Sequence, residues 1–372
     1  MTFCIITHVP HGYQNSNYFA YSPYVREMNI WSKYVDKIVL VAPLQLKNST
    51  SIDMDYSHKV IDFRNVSNFN FLTVKSFFLT LLKLPKIIFE IYKAMKHSDH
   101  IHLRCPGNMG LLGCFLQILF PKKTKTAKYA GNWDSKAKQP LSYRLQKWIL
   151  SNTFLTRNMQ VLVYGEWKNS SKNIKSFFTA SYFEKDKIDV SPKDLNSKLS
   201  FIFVGTLSNG KQPLYAIQLV EQLYKNGHDI CLEIYGEGIE NERLENYILV
   251  HNLEKIVFLK GNQNQEVIKN AYLQNHFVIL PSLSEGWPKA VAEGMFWGCL
   301  PIASKVSCVP NMLENGKRGL LLDLKLNQDV QNIESILKNN DLYQDKVIKA
   351  VQWSRQFTMD VFEDEIKLLL QS

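Results

Sequence analysis

The chain has 372 residues, 45% of them apolar and 21% charged, which excludes a disordered or fibrous protein and exceeds the size of a single core. Its formal charge of +10 is unevenly placed: Lys and Arg outnumber Asp and Glu by 26 to 12 through Val190, whereas the remainder carries 18 against 22. Six cysteines, with no Cys-x-x-Cys pair and no zinc spacing, exclude a disulfide or zinc framework and suit a reduced cytosolic protein.

The chain opens on Phe3 to Thr7, an apolar run without a basic region before it and with polar residues directly after, so a first strand is expected there rather than a secretory leader. A loop with His8, His11 and Gly12 follows. Further strands are expected at Lys37 to Ala42, His100 to Leu103, Thr126 to Tyr129 and Met159 to Val163. Asp53-Met54-Asp55 lacks a preceding apolar strand and reads as a solvated loop, not as a metal-binding Asp-x-Asp. Phe71 to Met95 and Met109 to Phe120 are the most apolar segments, and neither offers the ~20 uninterrupted apolar residues of a spanning helix. In the first of them Phe77, Phe78, Leu81, Leu82 and Phe89 share a segment with Lys83, Lys86, Lys93 and Lys96; Lys122, Lys123, Lys125 and Lys128 form a second basic cluster. An apolar segment ringed by lysines suits an anionic membrane surface, or else a core helix with a solvated basic face. Nucleic acid is not expected as a partner, because no recognition motif accompanies the charge.

The polar stretch Lys185 to Lys198, with Ser191-Pro192-Lys193-Asp194 at its centre, marks a boundary between a first domain over 1–190 and a second over 198–356. Beyond it Phe201 to Val204 reads as a strand, Gly205-Thr206-Leu207-Ser208-Asn209-Gly210-Lys211 as a turn, and Pro213 to Tyr224 as an amphipathic helix. Ile230 to Tyr235, then Gly236-Glu237-Gly238, a helix from Glu240 to His251, and Ile256 to Leu259 with Gly261 repeat the rhythm. Strands alternating with helices imply a parallel doubly wound sheet, in which ligands bind beyond the carboxyl ends of the strands. Three helical patterns, at about Asp329 to Asn339, Tyr343 to Gln356 and Met359 to Leu370, finish the chain.

The most informative stretch runs from Pro281 to Ser304. A strand from His276 to Leu280 ends in Ser-Leu-Ser and opens into Glu285-Gly286-Trp287-Pro288-Lys289, with Pro288 suited to the first turn of a helix. Glu293 follows among Ala290, Val291, Ala292, Met295, Phe296 and Trp297, where a carboxylate needs a hydrogen-bonding partner. Glutamate, seven residues, glutamate, together with the Lys211 turn before it and Asn315-Gly316-Lys317-Arg318-Gly319-Leu320-Leu321 after it, resembles the donor half of retaining glycosyltransferases of family 4. The resemblance covers roughly Ser200 to Asp323 and implies the GT-B fold, an α/β architecture of two Rossmann-like doubly wound parallel-sheet domains facing a cleft. It also implies that a terminal helix, about 357–372, packs back onto the first domain.

By the same resemblance Glu285 contacts the donor sugar, Glu293 holds the nucleotide ribose hydroxyls and Lys211 grips the donor phosphates, with Gly205, Gly236, Gly286, Trp287, Pro288 and Lys289 completing the donor site. The family commonly carries an arginine where this chain has Thr206, so Lys289, Arg318 or Arg104 is expected to supply the second cation. First-domain loops at strand ends offer His11 and Gly12, Arg104 and Asn108, and Asn132, Trp133 and Asp134, with Asn132 standing where the family often has a catalytic histidine. The implied activity is metal-independent hexosyl transfer from a nucleotide-sugar, a substrate rather than a cofactor, to a glycan or lipid-linked acceptor of a bacterial surface polysaccharide. The implied location is cytoplasmic, peripheral on the inner face of the membrane. A GT-B epimerase of sugar nucleotides would need converging carboxylates and histidines, of which the Asn132 region offers few. A non-catalytic nucleotide-sugar-binding partner of a glycosylation complex would be expected to have lost Glu285 or Glu293.

Overall fold

The computed structural model of the chain describes residues 1–50, 52–67 and 74–371, and of residues 74–81 the backbone only. Near-continuous apolar runs such as Phe-Cys-Ile-Ile and Phe-Val-Ile-Leu become parallel strands, because both faces of such a sheet are covered by crossover helices. Met1–Phe178 with Val361–Ser372 make one compact unit and Thr179–Asp360 the other, so the polar stretch 185–198 lies inside the second unit.

In the first unit seven parallel strands run edge to edge in the order Ile174–Phe177, Met159–Tyr164, Thr124–Tyr129, His100–Cys105, Thr2–Ile6, Lys37–Ala42, Ile61–Asn65. The first strand therefore sits inside the sheet. Later strands add on one side and then on the other, which creates a switch of winding direction between Thr2–Ile6 and His100–Cys105. Beyond the first strand the chain does not remain a loop. Gly12–Gln14 and Asn17–Tyr21 form a hairpin whose turn residues Asn15 and Ser16 both have positive φ, as a two-residue hairpin turn requires. Asp53–Asp55 pairs antiparallel with it, so the Asp-x-Asp segment is an edge strand and not the expected solvated loop. Asp53 is held there by Lys47 at 3.0 Å and by the Thr50 hydroxyl at 2.9 Å.

The terminal helix, Met359–Gln371, belongs to the first unit from Val361 onward. Phe362 packs edge-on against Phe177 at 5.5 Å, and Lys33 and Lys175 pair with Glu363 and Glu365 at 2.7 and 2.5 Å. Among the described residues no helix is long and apolar enough to cross a membrane.

The second basic cluster is not a surface patch. Lys125 and Lys128 are buried. The Lys125 ammonium donates to the Gln117 carbonyl, the Gln117 side chain and the Phe120 carbonyl, and burial pulls its pKa down to about 8. Lys128 meets Glu27 at 3.1 Å and lies 5.1 Å from the Phe362 ring centre. Lys123 folds back to donate to the Met95, Lys96 and Ser98 carbonyls, closing the end of the helix Val74–Lys96. Lys123 and Lys125 donate to carbonyls at helix ends, where backbone donors run short. Lys83, Lys86, Lys93 and Lys96 do face solvent on that helix, beside exposed Leu82, Ile88, Phe89 and Tyr92, while Ile87, Ile91, Ala94 and Met95 enter the core. The side chains of Phe77, Phe78 and Leu81 lie outside the described residues.

The second unit carries six parallel strands in the order Val257–Gly261, Ile230–Tyr235, Leu199–Val204, Phe277–Leu280, Leu300–Ser304, Leu320–Leu322, the same doubly wound pattern with its switch between Leu199–Val204 and Phe277–Leu280. Helices Pro213–Lys225, Asn241–Val250, Leu326–Leu337 and Asn340–Ser354 fall within a few residues of the expected patterns.

The capping role of Lys123 separates it from its neighbour. Lys123→Glu, which takes a charged donor from three carbonyls and puts a carboxylate at a helix C-terminus, should cost about 1–2 kcal/mol of stability, whereas Lys122→Glu at an exposed position should stay within ~0.5 kcal/mol. Urea denaturation midpoints of the two variants check this; equal midpoints would refute the capping role.

Candidate functional site

The switch in the second sheet brings two loops side by side. One leaves Val204 at Gly205 and returns as the helix Pro213–Lys225, and the other leaves Leu280 at Pro281 and returns as the helix Lys289–Phe296. The first loop is tight: the Lys211 and Gln212 amides both reach the Ser208 carbonyl, at 3.0 and 3.2 Å, and Gln212 takes the left-handed conformation just before Pro213. A backbone bond of 2.8 Å from Leu283 to the Gly210 carbonyl ties the second loop to the first. That tie sets the side chains at its flanks. The Lys211 ammonium reaches the Glu285 carboxylate at 2.6 Å, with Glu285 almost wholly buried and Lys211 about a third exposed.

Glycines allow the neighbouring strand ends to close on the first loop. Gly236 has φ +141, and a Cβ built on it would stand 1.9 Å from the Gly205 carbonyl oxygen; one on Gly238 would stand 2.2 Å from that of Leu207. Any other residue at either position would force the loops apart. Gly286 is held by its carbonyl, which accepts from the Cys308 thiol at 3.1 Å and the Ser307 hydroxyl at 3.4 Å. Burial, with the Glu285 charge added, pushes the Cys308 thiol up to about 12, so it stays a hydrogen-bond donor.

Glu293 finds the partners that its apolar helix demands: the Ser181 hydroxyl donates to one oxygen at 2.5 Å and the Tyr272 hydroxyl approaches the other at 3.5 Å. It lines a small pocket with Trp287, Lys289, Ala292, Thr179 and Ser181, all in the second unit. The helix that carries it lies hard on the sheet, since a Cβ on Gly294 would stand 2.5 Å from Val278. Pro288 is the residue before this helix, with ψ 88, and not part of its first turn. Trp287 stacks on Trp353 with ring centres 6.0 Å apart, and Trp353 in turn carries the Arg318 guanidinium at 5.2 Å. Arg318 is committed to Glu314 at 2.9 Å and to the Met312 carbonyl at 3.1 Å, and Arg104 to Glu27 at 3.2 Å. Of the three cations considered for the role left by Thr206, Lys289 is the one that shares a pocket with Glu293.

The first unit has its own pocket, of about 290 Å³, beyond the switch between Thr2–Ile6 and His100–Cys105. His8, Gly107, Asn108 and Tyr143 line it. A Cβ on Gly107 would meet the His8 ring at 2.8 Å, so the two loops touch here as well. Burial, with Arg104 nearby, lowers the His8 pKa, leaving a neutral imidazole at pH 7. Tyr143 was not singled out by sequence reasoning, and His8 was read only as part of the loop directly after the first strand. His11 is fully buried against the Tyr56 hydroxyl at 2.9 Å, and Gly12 faces the Phe19 ring, so both support the hairpin rather than a ligand. Asn132 is buried and caps the turn by accepting from the Asp134 amide at 2.9 Å, Asp134 accepts from the Lys136 amide at 2.8 Å, and Trp133 packs edge-on against Tyr129. Among the described residues no cluster of three or more His, Cys, Asp or Glu has a metal-holding arrangement.

Residues 184–353 match the family model described as glycosyl transferases group 1. Over 74% of its length the chain is 24% identical to Protein CapJ of Staphylococcus aureus, covering 72% of that protein. It is 33% identical to the GtfA subunit of a UDP-N-acetylglucosamine–peptide N-acetylglucosaminyltransferase of Limosilactobacillus reuteri, over 28% of this chain. That match spans a fifth of the relative's length (20%). The crystal structure of HepE from Anabaena in complex with UDP and glucose is similar over 100% of this chain and 99% of its own, with a TM-score of 0.72 at 13% identity. The fold is GT-B.

Proposed function

We propose that the chain is a retaining, metal-independent glycosyltransferase of the hexosyl type that moves a sugar from a nucleotide-sugar to a glycan or lipid-linked acceptor in bacterial surface-polysaccharide synthesis. The observation that carries this reading is the Lys211–Glu285 contact at the switch point of the second sheet, where a doubly wound fold binds its ligand. The group 1 match over the same residues and the relatives' names support it.

The chemistry asks little covalent work of the protein. The bond between the anomeric carbon and the diphosphate oxygen breaks, its electron pair leaves with the diphosphate, and an acceptor hydroxyl oxygen bonds to the anomeric carbon while its proton passes to a phosphate oxygen. Lys211 supplies positive charge where the diphosphate gathers negative charge, and the head of the helix Lys289–Phe296 adds backbone donors. Glu285 holds the Lys211 ammonium in place. With donor bound, the ammonium is shared with phosphate and the carboxylate turns to the sugar. Glu293, with two acceptor oxygens fixed by Ser181 and Tyr272, suits a vicinal diol, and thus the ribose. Asn132, His8 and Asn108 are assigned to the acceptor side in the first unit.

We also assign a cytoplasmic, membrane-peripheral location, with the first unit docking on anionic lipid. The support is the outer face of Val74–Lys96, where Lys83 and Lys86 flank exposed Leu82 and Phe89.

Glu293→Gln keeps an acceptor for Ser181 but loses the charge, so donor affinity should fall about tenfold or more with the melting temperature unchanged. Calorimetry with the preferred nucleotide-sugar, found first by thermal-shift screening, reads this; unchanged affinity in a folded variant would sink the ribose assignment. Transfer should survive EDTA, and activity lost to the chelator and restored by manganese would overturn metal independence. In flotation, the protein should rise with anionic but not neutral vesicles, less so in high salt and less so for Lys83→Glu/Lys86→Glu; indifference to anionic vesicles at low salt would show that this face is merely solvated.

A further inference from the structure

The first unit has a second, larger cavity that the transfer reaction does not use. It is an open groove of about 580 Å³, within the usual size of small-ligand sites. Thr124, Met159 and Asn173 in its wall stand at or just before the first residues of three adjacent strands, Thr124–Tyr129, Met159–Tyr164 and Ile174–Phe177. The groove therefore opens at the amino ends of the sheet. The loops of Asn132 and Gly165 leave the carboxyl ends of the same strands, about 17–20 Å away along a strand of this length.

Its lining has one sign of charge. Arg157, Lys172 and Lys125 contribute three cations, and no carboxylate is among the described lining residues. Arg157 and Lys172 are exposed and make no ion pair among the described residues. The Arg157 guanidinium lies over the Phe154 ring at 4.6 Å, a contact that uses none of its N–H groups for an ion pair and leaves them for an acceptor. Lys125 is buried in the wall with its three donor contacts all directed to Gln117 and Phe120, so its charge acts on the groove without contact, and among the described residues no acidic group pairs with it. Thr124, Thr153 and Gln160 add neutral hydrogen-bonding groups suited to hydroxyls. A forked and a point cation for an oxyanion, beside hydroxyl and amide groups for a polyol, make the chemistry of a sugar phosphate site.

We propose that this groove is a second ligand site, separate from the donor loops, that binds a phosphomonoester carried on a sugar or other small polyol, with Arg157 and Lys172 as its phosphate ligands. It stands independently of the transfer reaction, which can hold or fail without it.

The test is calorimetry on the full chain with inorganic phosphate, glucose 1-phosphate and vesicles containing phosphatidic acid as probes. Glucose 1-phosphate should bind more tightly than phosphate, and Arg157→Glu or Lys172→Glu should weaken it about tenfold or more, with Arg157→Lys intermediate. Lys211→Ala should leave this binding unchanged, because Lys211 belongs to the other unit's loop. Arg157-dependent binding of the vesicles alone would uphold the phosphate site and name a lipid headgroup as its source. Binding abolished by Lys211→Ala but not by Arg157→Glu would place the anion at the donor loop and overturn the proposal. So would absence of binding by all three probes at millimolar phosphate, or binding indifferent to both charge reversals.

Discussion

The hydrogen bond from the Leu283 amide to the Gly210 carbonyl is the link on which the candidate site rests. The two central strands of the second sheet, Leu199–Val204 and Phe277–Leu280, are in register only at Phe201 with Phe277 and Ile202 with Val278. Past that short pairing their chains diverge into separate loops, each bound for a helix on its own face of the sheet. One backbone bond brings them together again, and Lys211 and Glu285 meet because each lies within two residues of it. The glycines at 236 and 238 then seal the neighbouring strand ends against the first loop, by contacts that leave no room for a side chain. Position is thus fixed by backbone, and charge is added to a scaffold that is already closed.

Much of this was legible in the sequence for a physical reason. Buried parallel strands are apolar on both faces, so Phe201 to Val204, Ile230 to Tyr235 and Phe277 to Leu280 stand out whatever the tertiary context. The Lys211 turn and Glu285 could be placed at the carboxyl ends of apolar runs and by the spacing that resembles family 4, whereas their place at the switch point came only with the strand order. The edge strands Ile61–Asn65 and Ile174–Phe177 were missed because edges are half-solvated and their Asp62, Arg64, Lys175 and Ser176 break the apolar signal. The hairpin after the first strand was missed too, its turn being Asn-Ser rather than a glycine dipeptide. Partners distant in sequence could not be read at all. Ser181 and Tyr272, which hold Glu293, lie 112 and 21 residues from it, and nothing in their local pattern marks them.

Charge was the least transferable signal. A run with lysines at 122, 123, 125 and 128 reads as a basic surface, yet the strand Thr124–Tyr129 is covered on both faces, and it and the helix ends beside it turn three of them inward to carbonyls, rings and Glu27. A buried ammonium that is fully hydrogen-bonded keeps its place in the core, and part of the first unit's excess positive charge is therefore structural. The exposed remainder is spread over the surface and includes the outer face of Val74–Lys96 and the groove at Arg157 and Lys172, two places that a net charge cannot tell apart.

The stacking of Trp287 on Trp353 has an optical consequence. Indole emission depends on what lies against the ring, and Trp287 is two residues from Glu285, on the same loop. Its neighbour Trp353 sits on a separate helix under the Arg318 guanidinium, a polarising cation at 5.2 Å. Any shift of the loop against that helix changes the spacing of the pair and the field on it, so the intrinsic fluorescence of the chain contains a native reporter of loop position. Seven tryptophans share the signal, and replacing Trp353 with phenylalanine isolates the part that belongs to the loop.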